Sequence, residues 1–384
     1  MGMPMDMRSS LQTLQTIACV CSSASKGGLE LNMVRFAARM RRRGHRVVML
    51  CVDHTPLSRM SMEEGLDVAS IPRPWKYGDV LTARRVLRVI RSRSCTAVVV
   101  SLNHDLSMAA RIKRMAPDLC MVYQQQMGLG VDKRDPLHTR RYRGLDAWVA
   151  PLVSLRSEVL QRTRVPADRV QVIPLAVDPA ELGSPVSRAE ARSHLGLPPE
   201  SFIVGMIGRF DPAKGQLEAI RSMPQLLRAH PHLRLLLVGE ASVGHEAHTE
   251  LLHRVIDECG VRHAVHIHPF LPKPRVVFDA IDLFLMGTRS ETFGMVTVEA
   301  LMCGCPVAGT NSGGTPEILR KGEWGRLFEP GSVDEIVRVV RDAVDGSAAD
   351  KERARSLVTA ATDRFGAEHA CIAYEGLLAH CKTH

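Results

Sequence analysis

Short apolar runs alternate along the chain with longer stretches in which apolar positions return every three or four residues. The first run, Thr16-Ile17-Ala18-Cys19-Val20-Cys21, predicts a buried strand. Met33, Phe36, Ala37 and Met40 then recur at helical spacing, and Gly44 closes that helix. Further strands are predicted at 47–52, 97–100, 119–123, 148–150 and 170–173, with helices at 80–91 and after Asp105. A second series opens at 203–208 and continues at 235–238, 265–267, 283–286 and 306–309. Its first helix carries Leu217, Ile220, Met223 and Leu227, and a last helix near 368–380 has Ile372, Tyr374, Leu377 and Leu378 to bury. Strands alternating with helices predict doubly wound parallel sheets, an α/β class whose ligands sit at the carboxyl ends of the strands. Two such series in 384 residues predict two domains, at 1–180 and 181–365, with residues 366–384 as a terminal helix. The Pro-, Ser- and Gly-rich stretch 183–198 is expected to be the linker.

The predicted strand ends of the second series gather the chemistry. Thr288-Arg289-Ser290-Glu291-Thr292-Phe293-Gly294-Met295 leads from a strand into a helix that holds Glu299. A glycine after an aromatic lets backbone pass close to a ligand, and the helix start offers free N–H groups to an anion. Carboxylates on either side accept hydrogen bonds from hydroxyls, so a molecule with sugar and phosphate suits the segment. Glu299 lies among Val296, Val298, Ala300, Leu301 and Met302, and a carboxylate buried there needs partners. Alone, the pair reads first as a helix cap and a solvated face residue. Upstream, Arg209 at a strand end and Lys214 before the next helix can converge on one diphosphate. Gly239 ends another strand, and Gly313-Gly314 supplies a further turn.

In the first half, a polar loop after the first strand ends in Gly27-Gly28 ahead of a helix, the order a phosphate-cradling loop requires. His104 follows the strand at 97–100, and Gln124, Gln125 and Gln126 follow the strand at 119–123. A single loop histidine is more often structural or exposed than catalytic, and its place at a strand's carboxyl end brings the two readings level. Arg84, Arg85, Arg88 and Arg91 occupy neighbouring turns of one helix and read first as a solvated face, second as a docking patch for a membrane or an acceptor.

Charge sharpens this picture. The net +9 is uneven, since residues 1–180 hold 28 Lys and Arg against 15 Asp and Glu. The basic half is expected to meet something anionic: a phosphorylated substrate or an anionic membrane surface. No aromatic-interleaved basic stretch suggests nucleic acid. The ten cysteines show no metal-ligand spacing and read as buried free thiols of a reducing compartment. No run is long and apolar enough to span a membrane, and Gln12, Thr13, Gln15 and Thr16 interrupt the stretch from Leu11 to Val20, against a signal peptide. The expected location is cytoplasmic, with peripheral contact at the inner face of the membrane.

Taken in order, five features resemble the retaining glycosyltransferases of family four, of the GT-B fold. They are Gly27-Gly28 with Gly44-His45-Arg46-Val47; Ile173-Pro174 through Val177-Asp178; Gly208-Arg209 with Lys214-Gly215; Val238-Gly239; and Glu291 with Glu299. The resemblance covers nearly the whole chain. It implies two Rossmann-like domains facing a central cleft and a sugar moved from a nucleotide-diphosphate donor with retention, onto a glycan or lipid-linked acceptor. Carried over, Arg209 and Lys214 would neutralise the diphosphate, Glu291 would hold sugar hydroxyls, and Glu299 the ribose. Phe293, Gly294 and Met295 would present backbone N–H groups. Gly27 and Gly28 would close over the phosphates, and His104 would lie near sugar and acceptor. The final helix would cross back to the first domain. Two departures stand out: Gln124-Gln125-Gln126 replaces a histidine common in relatives, and Leu175-Ala176 replaces an Asn-Gly pair. A neutral amide cannot act as a general base, which leaves the acceptor-side role of the glutamines open. There is no Asp-X-Asp triplet, so neither metal nor other cofactor is expected. A nucleotide-sugar epimerase and a non-catalytic sugar-binding protein are the alternatives.

Overall fold

Buried apolar strands, each followed by a helix that needs an apolar partner, build two parallel sheets in this protein. The computed structural model describes residues 14–75, 79–241, 244 and 246–381. Residues 11–13 of the interrupted apolar run therefore lie outside the described part. One unit comprises the described residues up to Pro174 together with those from Glu368 onward; the other runs from Leu175 to Ala367.

The first unit holds seven strands: β1 (Thr16–Cys21), β2 (Arg46–Cys51), β3 (Asp67–Ser70), β4 (Ala97–Val100), β5 (Cys120–Gln124), β6 (Ala147–Ala150) and β7 (Val170–Val172). Their order is β3-β2-β1-β4-β5-β6-β7, with every pairing parallel. Ile17, Ala18 and Cys19 at the sheet centre are fully buried, as strands covered by helices on both faces must be. Trp148 fills the far half, edge-on to Tyr123 and Tyr142.

The terminal helix Ala367–His380 belongs to this unit from Glu368 onward. Tyr374 packs against Phe36 at 4.8 Å and accepts a hydrogen bond from Gln124 Nε2 at 2.9 Å. Glu375 receives both Arg43 Nε (2.7 Å) and His45 Nε2 (3.0 Å). The backbone N–H of Gln15 donates to His45 Nδ1, which places the ring proton on Nε2, facing Glu375. Tyr374, Leu377 and Leu378 are buried, but Ile372, expected to join them, is 51% exposed on the outer face.

The second unit holds β8 (Phe202–Ile207), β9 (Leu233–Val238), β10 (Val265–His268), β11 (Leu283–Met286), β12 (Val307–Thr310) and β13 (Arg326–Phe328). The order is β10-β9-β8-β11-β12-β13, again all parallel. The stretch expected to be a linker instead forms the helix Arg188–His194, begun by a Ser187–Glu190 capping box. Its Arg192 is buried and donates to Asp282 and to the Ala280 carbonyl, so the segment is part of the unit's core. The division between units falls earlier, after Pro174.

All ten cysteines are unpaired, and seven are buried. No described helix is long and apolar enough to cross a membrane.

Candidate functional site

In the second sheet, chain progression reverses between neighbouring strands β8 and β11. At such a reversal the loops leave in opposite directions and open a crevice at the strands' carboxyl ends. Arg209 and Lys214 lie on the loop after β8, and Glu291 on the loop after β11.

The β8 loop is a tight turn. Asp211 Oδ1 accepts from the Ala213 N–H (2.8 Å), and its carbonyl accepts from the Lys214 N–H (3.1 Å). Gln216 Nε2 donates to the Arg209 carbonyl at 2.9 Å, which fixes the backbone while the guanidinium stays more than half exposed. Lys214 Nζ donates to Glu291 Oε2 at 2.9 Å, each side chain about a quarter exposed. The loops after β8 and β11 are thus bound by opposite charges at the crevice. The helix Gln216–Ala229 starts from left-handed Gly215 and has no side-chain cap, so its first N–H groups have no capping oxygen.

Glu291 is clamped by its own backbone. Its carbonyl accepts from the Gly314 N–H at 2.7 Å, and Gly313, with φ of +60°, lies against it so closely that a Cβ would stand 2.1 Å from the carbonyl oxygen. Only glycine fits there. Ser312 Oγ donates to the Arg289 carbonyl, Arg289 N–H donates to the Ala213 carbonyl, and the Arg289 guanidinium pairs with Glu218 at 2.8 Å. The helix Met295–Met302 begins after left-handed Gly294, also without a side-chain cap. Its free N-terminal N–H groups and the Arg209 and Lys214 cations make this crevice suited to an anion.

Two of the residues singled out from the sequence are placed differently from the rest. Phe293 is 2% exposed with its ring edge-on to Phe365, so it anchors the turn and offers a ligand only its backbone. Gly239 packs on the neighbouring loop: a Cβ would stand 1.9 Å from the Gly208 carbonyl oxygen, so its lack of a side chain lets the loops after β8 and β9 meet. Glu299 sits in the second turn of its helix and is buried.

The first sheet reverses between β1 and β4; Gly27 and Gly28 lie where the loop after β1 enters its helix, and His104 in the short turn after β4. Gly27 precedes the helix Gly28–Arg42 without a side-chain cap, and a Cβ on Gly28 would meet only open space. The His104 ring is partly exposed, with Nδ1 3.7 Å from Asp105 Oδ1. Asp105 itself is fully buried and ties the two loops together, accepting from the Ser22 N–H at 2.8 Å and from the Ser22 hydroxyl. Burial pushes its carboxyl above the usual range, against the opposing pull of Ser22 and His104. Glu30, also buried, accepts from the Ser23 hydroxyl. These acid–serine contacts join residues as far as 83 apart and carry no local sequence signal.

Gln124, Gln125 and Gln126 are buried, and each amide has protein partners. Gln124 accepts from Ser101 (3.0 Å) besides donating to Tyr374, and Gln126 accepts from Asn32 (3.2 Å) and donates to Gln124. Gln125 accepts from the Trp148 indole at 2.9 Å and donates to the Met127 carbonyl. In this arrangement they brace the loop after β5.

Residues 26–181 match the family described as Glycosyltransferase Family 4, and residues 187–364 match Glycosyl transferases group 1. D-inositol 3-phosphate glycosyltransferase of Mycobacterium marinum is 31% identical over 283 residues, 71% of this chain and 55% of that protein. The protein of the same name from Acidothermus cellulolyticus is 33% identical over 193 residues, 44% of this chain and 43% of that protein. The chain thus spans about half the length of these curated relatives. Among solved structures, Alr3699/HepE from Anabaena, crystallised with UDP, aligns with a TM-score of 0.82 at 21% identity, covering 96% of this chain and all of that one. Sucrose-phosphate synthase from Thermosynechococcus elongatus aligns with a TM-score of 0.77 at 17% identity, covering 95% of this chain and 98% of that one. These likenesses show a shared fold, and the two family matches follow one another across both units. The chain belongs to the family-four glycosyltransferases and has their GT-B fold of two Rossmann-like units.

Proposed function

We propose that this protein is a retaining glycosyltransferase that moves a sugar from a nucleoside-diphosphate sugar to an acceptor hydroxyl. The observation that carries the reading is the Lys214–Glu291 pair, 2.9 Å apart at the reversal of the second sheet, beside Arg209 and two uncapped helix starts. Cations and N–H groups there suit a diphosphate, and a carboxylate next to them suits sugar hydroxyls. As the bond between the anomeric carbon and the phosphate oxygen breaks, its electron pair goes to that oxygen. Arg209 and Lys214 stabilise the charge where it develops. The acceptor oxygen bonds to the anomeric carbon from the same face, and its proton passes to the departing phosphate. Glu291 orients the sugar, and Glu299 takes the ribose. No metal or other cofactor enters this scheme.

Several likenesses narrow the substrates. HepE has been solved with UDP-glucose, and the curated relatives are named for D-inositol 3-phosphate. A uridine diphosphate sugar and an anionic acceptor, a phosphorylated polyol or a lipid-linked glycan, follow from them and from the basic first half of the chain. The second kind of acceptor would bring the protein to the inner face of a membrane.

The test is incubation with UDP-glucose, with and without myo-inositol phosphate, followed by proton NMR. Transfer with the donor's anomeric configuration kept is expected. Sugar inversion without transfer, the behaviour of an epimerase, or transfer with inverted configuration would overturn the reading.

A further inference from the structure

We infer that the N-terminal unit carries a docking surface for a bilayer with anionic headgroups, formed by the outer face of the helix Val80–Ser92 and by Trp75 just before it. The helix buries Thr82, Ala83, Val86 and Ile90 against the sheet. Leu81, Arg84, Arg85 and Arg88, spaced i, i+3, i+4, i+7, form the opposite, exposed face. No acidic residue lies within the helix. Arg84, Arg85 and Arg88 have no ion-pair partner among the described residues, whereas Arg91 pairs with Asp118 and Arg93 with Asp67. The nearest acid on the chain, Asp79, is engaged as the helix cap. It accepts from the Thr82 N–H at 2.9 Å and from the Trp75 N–H at 3.0 Å. That second bond holds the Trp75 backbone at the helix start while its side chain is 77% exposed, and Leu81 in the first helical turn is 69% exposed.

The combination selects among anionic partners. Unpaired arginines alone suit any polyanion, and one aromatic beside them suits a stacked base as well. Exposed Val80 and Leu81 gain nothing from bases or phosphates. They gain from leaving water at a headgroup boundary, where tryptophan also concentrates. Arginines on the same face then meet anionic lipid. The inference deepens the reading of a membrane-borne acceptor but rests on this surface alone, and it can be tested without any transfer reaction.

The chain offers its own probe. Of its three tryptophans, Trp148 and Trp324 are buried and Trp75 is exposed. The full chain is mixed with vesicles of phosphatidylcholine, or of phosphatidylcholine and phosphatidylglycerol in equal parts. Sedimentation and tryptophan emission are followed. Binding to the anionic vesicles only, with a blue shift of emission and release by salt, is the expected result. Each arginine beside an anionic leaflet is worth a factor of about five in partitioning, so Arg84→Glu, Arg85→Glu and Arg88→Glu together weaken binding at least about 100-fold. Trp75→Phe removes the blue shift. UDP affinity, a property of the other unit, stays unchanged in both variants and reports their integrity. Equal binding to both vesicle types, unchanged binding by the triple variant, no blue shift, or displacement from vesicles by single-stranded oligonucleotide in favour of a stable complex would each overturn the inference.

Discussion

Glu291→Ala lowers the rate of sugar transfer by about 10²–10⁴ and leaves nucleoside-diphosphate binding in place. In the proposed reading this carboxylate accepts from sugar hydroxyls, and hydrogen bonds to a charged group are worth about 1.5–3 kcal/mol each. Two such bonds, lost from a transition state in which the sugar ring gains positive charge, give that range. The fold is expected to survive. The Lys214–Glu291 pair is partly exposed, and such pairs contribute at most about 1 kcal/mol to stability. The Glu291 backbone, held by Gly314, does not depend on the side chain. Steady-state kinetics with a saturating donor, alongside a melting curve, checks this. Unchanged turnover would remove Glu291 from the site, and lost nucleotide binding would assign it to the diphosphate instead.

The largest effect on stability is expected from a residue with no part in the chemistry. Asp282 precedes β11 and is 3% exposed. It accepts from Lys351 and Arg188 at 2.6 Å, and from Arg192 and the Ile203 N–H at 2.8 Å. Burial alone would raise its carboxyl pKa, but Lys351, the Ile203 amide and Arg188 outweigh burial and hold it below the usual range. Asp282→Ala leaves Arg192 buried with its charge uncompensated, and breaking a buried pair from one side costs about 3–5 kcal/mol. Urea unfolding of the C-terminal unit should therefore shift to a markedly lower midpoint. The pH dependence has a definite sign. A carboxylate with a depressed folded pKa contributes stability that is fully present above the unfolded value of about 3.9 and is lost as pH falls through the folded pKa. The wild type should therefore lose stability below about pH 4 more steeply than Asp282→Asn. An unchanged urea midpoint in Asp282→Ala would show that the three cations find other partners.

Much of this architecture is legible from hydrophobic patterning. All strands but β3 and β13 stand out as apolar runs. Those two are edge strands of four and three residues, Asp67–Ser70 half-buried and Arg326–Phe328 opening on a charge, so neither produces a run. The helix that begins at Ser187 and Glu190 does not stand out, because the Pro and Ser around it suggest a linker more strongly than a helix. In the site, Arg209, Lys214 and Glu291 stand out because charges directly follow apolar strands. What stays hidden is pairing across distance: Asp105 with Ser22, Arg289 with Glu218, Gln125 with Trp148. Burial of Phe293 is hidden for the same reason, since its partner Phe365 lies far along the chain.

The reversal of the second sheet is expected to bind the donor's diphosphate through Arg209 and Lys214. Calorimetric titration of UDP, GDP and ADP into the wild type and Lys214→Ala tests it most directly. UDP is expected to bind the wild type in preference to the other two, and Lys214→Ala to weaken that binding about 10- to 100-fold, the worth of one charge-assisted hydrogen bond. Absence of binding by all three nucleotides, or equal affinity in wild type and Lys214→Ala, would contradict it.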